Sequence, residues 1–195
     1  MILWINGAFG AGKTTVAYEL KRKIDNSCIY DPENIGYFIR ENIPRQINTE
    51  DNFQDYKLWR DFNFKMLSFI ADSFDGTIIV PMTVTNRQYY DELILKLSER
   101  YTVKHFILYA SEKVILKRLS TRFERKNSWA ARKARECINA FDRNIPGTKI
   151  MTDNMGIDEI IQQIGELSGI VLNRDKRSRL TKKLNRLIVK IKNIR

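Results

Sequence analysis

The chain has a single histidine and only two cysteines in 195 residues, and each scarcity excludes a class of chemistry. His105 stands alone, and Cys28 and Cys137 lie far apart among apolar neighbours. No histidine or cysteine zinc cluster can form from these residues, and neither a disulfide framework nor a nucleophile with a histidine base is indicated. The expectation is a structural histidine and two buried, reduced thiols. Long apolar runs are also missing: none approaches the length that spans a bilayer, and the chain opens on an apolar stretch with no basic segment before it, so a cytoplasmic protein is expected. No internal repeat and no Pro/Gly/Ser-rich linker divides residues 1–173, which suits one α/β domain (1–173) followed by a short appendage (174–195).

Acidic residues are scarce in that appendage. Ten of the 34 Lys and Arg residues fall between Arg174 and Arg195, against Asp175 alone, so most of the formal charge of +11 resides there and the body is nearly neutral. Leu180, Leu184, Leu187, Ile188, Ile191 and Ile194 recur at helical spacing among these cations. Such an amphipathic basic helix suits an anionic lipid surface, with its apolar side in and its basic side out. A helix docked on the body and a basic arm on nucleic acid are the competing readings, and nucleic acid is not the partner expected.

What is present is concentrated in Gly7-Ala8-Phe9-Gly10-Ala11-Gly12-Lys13-Thr14, followed by Thr15. This fits the phosphate-binding loop G-x-x-x-x-G-K-[ST], preceded by the apolar strand Met1–Ile5 and followed by a helix from Thr14 to Ile24. Glycines let successive backbone N–H groups turn inward toward an anion, and the positive end of the helix adds to them. Lys13 is then expected on the β- and γ-phosphates of a nucleotide, and the Thr14 hydroxyl on Mg²⁺.

Downstream, apolar patterning predicts strands at Cys28–Tyr30, Thr77–Val80, Val103–Tyr109 and Lys149–Thr152. Helices are expected over Gln54–Ala71, around Tyr90–Leu97, after Ser111, through Trp129–Phe141 and over Ile157–Leu167. Alternating strands and helices imply a parallel sheet covered on both faces, with ligands beyond the carboxyl ends of the strands. That rule brings Asp31, Thr83-Val84-Thr85, Ala110-Ser111 and Asp153-Asn154 near the loop. Trp59, Phe62, Met66, Phe69 and Ile70 are expected to face a core or a ligand, and Tyr37, Phe38 and Phe53 could join Trp59 and Phe62 in a pocket or in the core.

Together with Trp4-Ile5-Asn6-Gly7-Ala8-Phe9-Gly10, the segments Tyr30-Asp31-Pro32-Glu33, Val80-Pro81-Met82-Thr83, Lys126-Asn127-Ser128-Trp129-Ala130 and Thr152-Asp153-Asn154 resemble the bacterial tunicamycin resistance family of small P-loop kinases. The likeness runs almost from end to end. It implies a P-loop NTPase of nucleoside-monophosphate-kinase type, with a five-stranded parallel sheet in order 2-3-1-4-5 and a C-terminal amphipathic helix. It further implies binding of ATP and tunicamycin, membrane association through that helix, and transfer of a phosphoryl group to the drug as an inference from the kinase fold.

On this basis Asp31 is a candidate base or acceptor-positioning carboxylate, with a turn aspartate before Pro32 as the alternative. Arg118 and Arg122, with Arg125 near them, resemble kinase lid arginines that neutralise charge on a transferred phosphoryl group, although spacings of four and three also describe a solvated helix face. Asn154 is expected near the nucleotide, and Arg40 and Arg87 near the acceptor substrate. One departure from the pattern is plain: Gly76–Thr85 has no aspartate to serve as a second Mg²⁺ carboxylate. Three functions therefore stay open: an ATP-dependent kinase acting on tunicamycin or a related nucleoside sugar, a non-catalytic ATP-dependent binder that sequesters the drug at the membrane, and a small-molecule kinase with an unrelated substrate.

Overall fold

A computed structural model describes residues 1–120 and 129–192 of the chain. Strand β1 (Ile2–Gly7) is flanked by β3 (Thr77–Pro81) and β4 (Val103–Tyr109), with β2 (Ser27–Ile29) and β5 (Thr148–Met151) at the edges. All pairings are parallel and the order is β2-β3-β1-β4-β5, as the resemblance implies. Successive side chains of a strand point to opposite faces, yet Ile2, Leu3, Trp4 and Ile5 are all fully buried. Both faces of the sheet are therefore covered, which is why this strand reads as an unbroken apolar run.

The connecting helices are α1 (Lys13–Lys23), α2 (Glu33–Asn42), α3 (Lys57–Ser73), α4 (Arg87–Tyr90), α5 (Lys96–Ser98), α6 (Glu112–Ser120), α7 (Trp129–Arg143) and α8 (Ile157–Ser168). The patterning misses α2, whose buried residues are only Gly36 and Ile39, too few to show a 3.6-residue period. The helix expected around Tyr90–Leu97 is interrupted by a π turn at Asp91–Leu95, which accommodates burial of Leu93, Ile94 and Leu97 together with an ion pair from Glu92 to Arg60.

Helix α3 departs further from its expected facing. Its buried residues are Trp59, Arg60, Asn63, Leu67 and Ser68, whereas Phe62 is exposed and Phe69 is 66% exposed. Arg60 earns its buried place by partners: Glu92, the carbonyls of Gln54 and Asp55, and the Tyr89 ring 4.3 Å away. Asn63 accepts from the Tyr30 hydroxyl at 2.7 Å and donates to the Trp59 carbonyl. Arg60 and Asn63, with their polar groups satisfied, thus take places on the inner face that apolar spacing assigned to phenylalanines. Trp59 joins the core, Phe53 packs between Tyr37 and Trp59, and Phe38 faces solvent.

The tail helix α9 (Arg179–Lys192) lies on the body through its basic side. Arg186 bonds Glu19 of α1 and Asp158 of α8, while Arg177 forks onto Glu19 and Asp175. Lys182 stands 3.3 Å from Asp175 and 3.5 Å from Asp158, and Val189 is buried. Leu180, Leu184, Leu187, Ile188 and Ile191 remain exposed, Leu180 by 81%. Ile194 lies outside the described residues. No helix among the described residues is long and apolar enough to cross a membrane.

Candidate nucleotide site

The loop between β1 and α1 takes its shape from glycine. Gly7, with φ of 149°, passes so close to β4 that a Cβ there would sit 2.9 Å from the Leu108 carbonyl oxygen. Gly12, with φ of 98°, makes the left-handed turn that starts α1. Among the described residues no side chain caps α1, and its first turn holds no acidic residue. The helix therefore supplies no cap or carboxylate of its own at its positive end, at the mouth of the loop that carries Lys13. Lys13 Nζ donates to the carbonyls of Gly7 at 3.0 Å and Ala8 at 3.2 Å, folded back over the loop. Ala8 and Ala11 are buried and the Ala11 N–H donates to the Ala8 carbonyl at 3.1 Å, Phe9 packs against the core, Gly10 has φ of 83°, Thr14 is half-buried and Thr15 is buried.

Neighbouring strand ends hold the loop from the side. The Thr83 hydroxyl, just past β3, donates to the Gly7 carbonyl at 2.9 Å, and Gln54 Nε2 donates to the Thr83 carbonyl at 2.8 Å. Asn6 Oδ1 accepts from the N–H groups of Gly7 and Val84, and its amide nitrogen donates to the Val84 carbonyl and to His105 Nε2. Thr83 was legible only as part of a strand end near the loop. Asn6 had a signal, a polar residue inside an apolar strand directly before the first glycine. Gln54 had none.

The far side is built by β4, α6 and β5. Arg118 donates to the Thr152 hydroxyl at 3.0 Å and the Thr152 carbonyl at 2.6 Å, which fixes it across the end of β5. Burial pulls the Arg118 pKa down and Asp153 offsets that pull. Asp153 accepts from the Ser111 N–H at 2.8 Å, Asn154 is exposed on the following turn, and Ile157 of α8 faces Gly12. Arg122 and Arg125 lie outside the described residues.

The acceptor-side residues have local partners. Asp31 stands at the end of β2, and its Oδ1 accepts from the Glu33 N–H at 3.0 Å, closing the turn into α2. Arg40 bonds the Asp51 carbonyl and lies 5.5 Å from the Phe53 ring centroid. Arg87 pairs with Asp91 one turn along its own helix, at 2.9 and 3.0 Å. His105 is part-buried against Tyr90, and burial pushes its pKa down to about 4. Burial raises the Cys137 thiol to about 11, and Cys28, expected to be buried, is only half-buried.

A parallel sheet in this order, with a glycine-bent phosphate loop running from its central strand into an uncapped helix, defines the P-loop kinase-like fold of nucleoside-monophosphate-kinase type. The resemblance to tunicamycin resistance proteins is also borne out. The chain matches the tunicamycin resistance protein of Deinococcus radiodurans with a TM-score of 0.77 and 26% identity, over 89% of this chain and 98% of that one. A sugar kinase from a Janibacter species matches with a TM-score of 0.58 and 18% identity over 87% and 94% of the two chains. The shikimate kinase of Bacteroides thetaiotaomicron gives 0.58 and 18% over 87% and 99%. At that identity these two matches speak for the fold alone. No family model matches the chain, and no curated protein matches it.

Proposed function

We propose that this chain is an ATP-dependent small-molecule phosphotransferase whose acceptor is tunicamycin or a related nucleoside sugar. The observation that carries the nucleotide half is the uncapped positive end of α1, facing the loop that holds Lys13. Residues Gly7 to Thr15 fit a polyphosphate by their pattern: glycines bend the backbone at 7, 10 and 12, Lys13 lies over the loop on the carbonyls of Gly7 and Ala8, and Thr14 offers a hydroxyl to Mg²⁺. Bound ATP supplies the phosphoryl group and Mg²⁺ screens its charge. Asp31 accepts the proton of the acceptor hydroxyl, Arg118 and Arg122 neutralise charge at the transferred group, Asn154 borders the nucleotide, and Arg40 and Arg87 contact the acceptor. The exposed leucine stripe of α9, flanked by cations, is the part we assign to an anionic membrane surface.

A second reading, ATP-dependent sequestration without transfer, is favoured by two observations. The Asp31 carboxylate already serves the turn into α2, and the residue past β3 that touches the loop is Thr83 rather than a carboxylate. The deciding measurement is transfer of labelled γ-phosphate to tunicamycin by the intact chain and by Asp31→Asn. Asp31 acting as base predicts a fall of about 10² to 10⁴-fold in transfer with ATP affinity little changed. An unchanged rate in Asp31→Asn removes the catalytic role, and resistance in cells without any transfer selects sequestration. Lys13→Ala should weaken ATP binding by at least about tenfold in calorimetry, and unchanged affinity would refute the nucleotide reading.

A further inference from the structure

The first turn of α8 and the inner side of α9 enclose a cleft of about 450 Å³, lined by Asp158, Arg179, Lys182, Lys183, Arg186 and Leu187. Two of these four cations are already engaged: Lys182 pairs with Asp158 and Asp175, and Arg186 with Asp158 and Glu19, three carboxylates whose oxygens lie within 4.8 Å of one another. Arg179 and Lys183 are different: one helical turn apart, both exposed, and without a carboxylate in ion-pair distance among the described residues.

We propose that this cleft is a second anion site, distinct from the phosphate loop, which takes a phosphate ester. The phosphate dianion is held by Arg179 and Lys183, and the carbon portion lies on Leu187. Charge sets the class of ligand: guanidinium and ammonium groups at helical spacing match a phosphate's several oxygens, and the volume admits an ester of headgroup size. Asp158 disfavours the anion, and its pairing with Lys182 and Arg186 offsets that charge. A soluble phosphate ester and a lipid headgroup share this chemistry.

The test is calorimetric titration with inorganic phosphate of the intact chain, of Lys13→Ala, and of each carrying Arg179→Ala/Lys183→Ala. Arg174→Ala/Lys176→Ala, which removes the same charge outside the cleft, is the control. A saturable site that persists in Lys13→Ala, weakens at least about tenfold in the cleft pair and survives in the control establishes the proposal. Because Lys13→Ala removes the loop's contribution, this result is independent of the nucleotide reading. Equal weakening in the cleft pair and the control, or no site left in Lys13→Ala, overturns it. Sedimentation with phosphatidylcholine vesicles containing phosphatidic acid then separates the sources. Greater loss for the cleft pair than for the control identifies the lipid headgroup, and equal loss leaves the soluble ester.

Discussion

Thr83 and Lys13 share one acceptor, the Gly7 carbonyl. For Lys13 to reach a phosphate it must give up that contact, and Thr83 then remains to satisfy a buried oxygen. Thr83→Val keeps the shape and removes the donor, so the nucleotide-bound form suffers more than the free form. An unsatisfied buried carbonyl costs about 1–3 kcal/mol, which corresponds to roughly 5- to 150-fold weaker ATP binding by calorimetry, with Thr83→Ser close to the parent. Equal affinity in Thr83→Val and the parent would show that Lys13 stays on the Gly7 carbonyl. His105 gives a pH-dependent counterpart. Its folded pKa of about 4 lies below the ordinary 6.5, so the unfolded chain binds the proton first as pH falls. Its contribution is complete above about pH 6.5 and declines toward pH 4, by about 1–3 kcal/mol given its partial exposure. Urea unfolding across that range should show the loss in the parent and a flatter profile in His105→Gln; identical slopes would assign the loss to other groups.

Among the elements, α9 and the segment before it supply counter-ions to a buried carboxylate. Glu19 is only 2% exposed and is held by both Arg177 and Arg186, so the tail supplies the counter-ions for a carboxylate on the helix that starts at the phosphate loop. Replacing both arginines with alanine leaves that charge buried and unpaired, at a cost of about 3–5 kcal/mol in urea unfolding. Adding Glu19→Leu should recover most of it, and no recovery would mean that the arginines act through other contacts. The sequence showed the amphipathic period of this helix plainly. It did not show which side would meet the body, because the acidic partners of Arg186 are 167 residues away on α1 and 28 residues away on α8. The same holds for α3, where Arg60 and Asn63 look like surface residues until Glu92 and Tyr30 are brought against them.

For the molecule as a whole, removal of residues 175–195 couples two effects. It should release the protein from anionic vesicles, since the tail's cations and exposed leucines go together, and it should lower the melting temperature because Glu19 loses both arginines. Glu19→Leu in the truncated chain should restore the melting temperature without restoring vesicle binding; cosedimentation of the truncated chain at the level of the intact one would place the anchor elsewhere. By itself the sequence determined the phosphate loop, the strand run before it, the parallel α/β class and the basic amphipathic tail, because each rests on local period or on spacing within a few residues. Only the tertiary structure decided that Thr83, Gln54 and Asn6 brace the loop, that Arg118 spans to Thr152, and that the tail turns Arg177, Lys182 and Arg186 inward and its leucines outward. Those outcomes depend on polar partners contributed by other strands and helices, and hydrogen-bond satisfaction across such distances leaves no periodic trace along the chain.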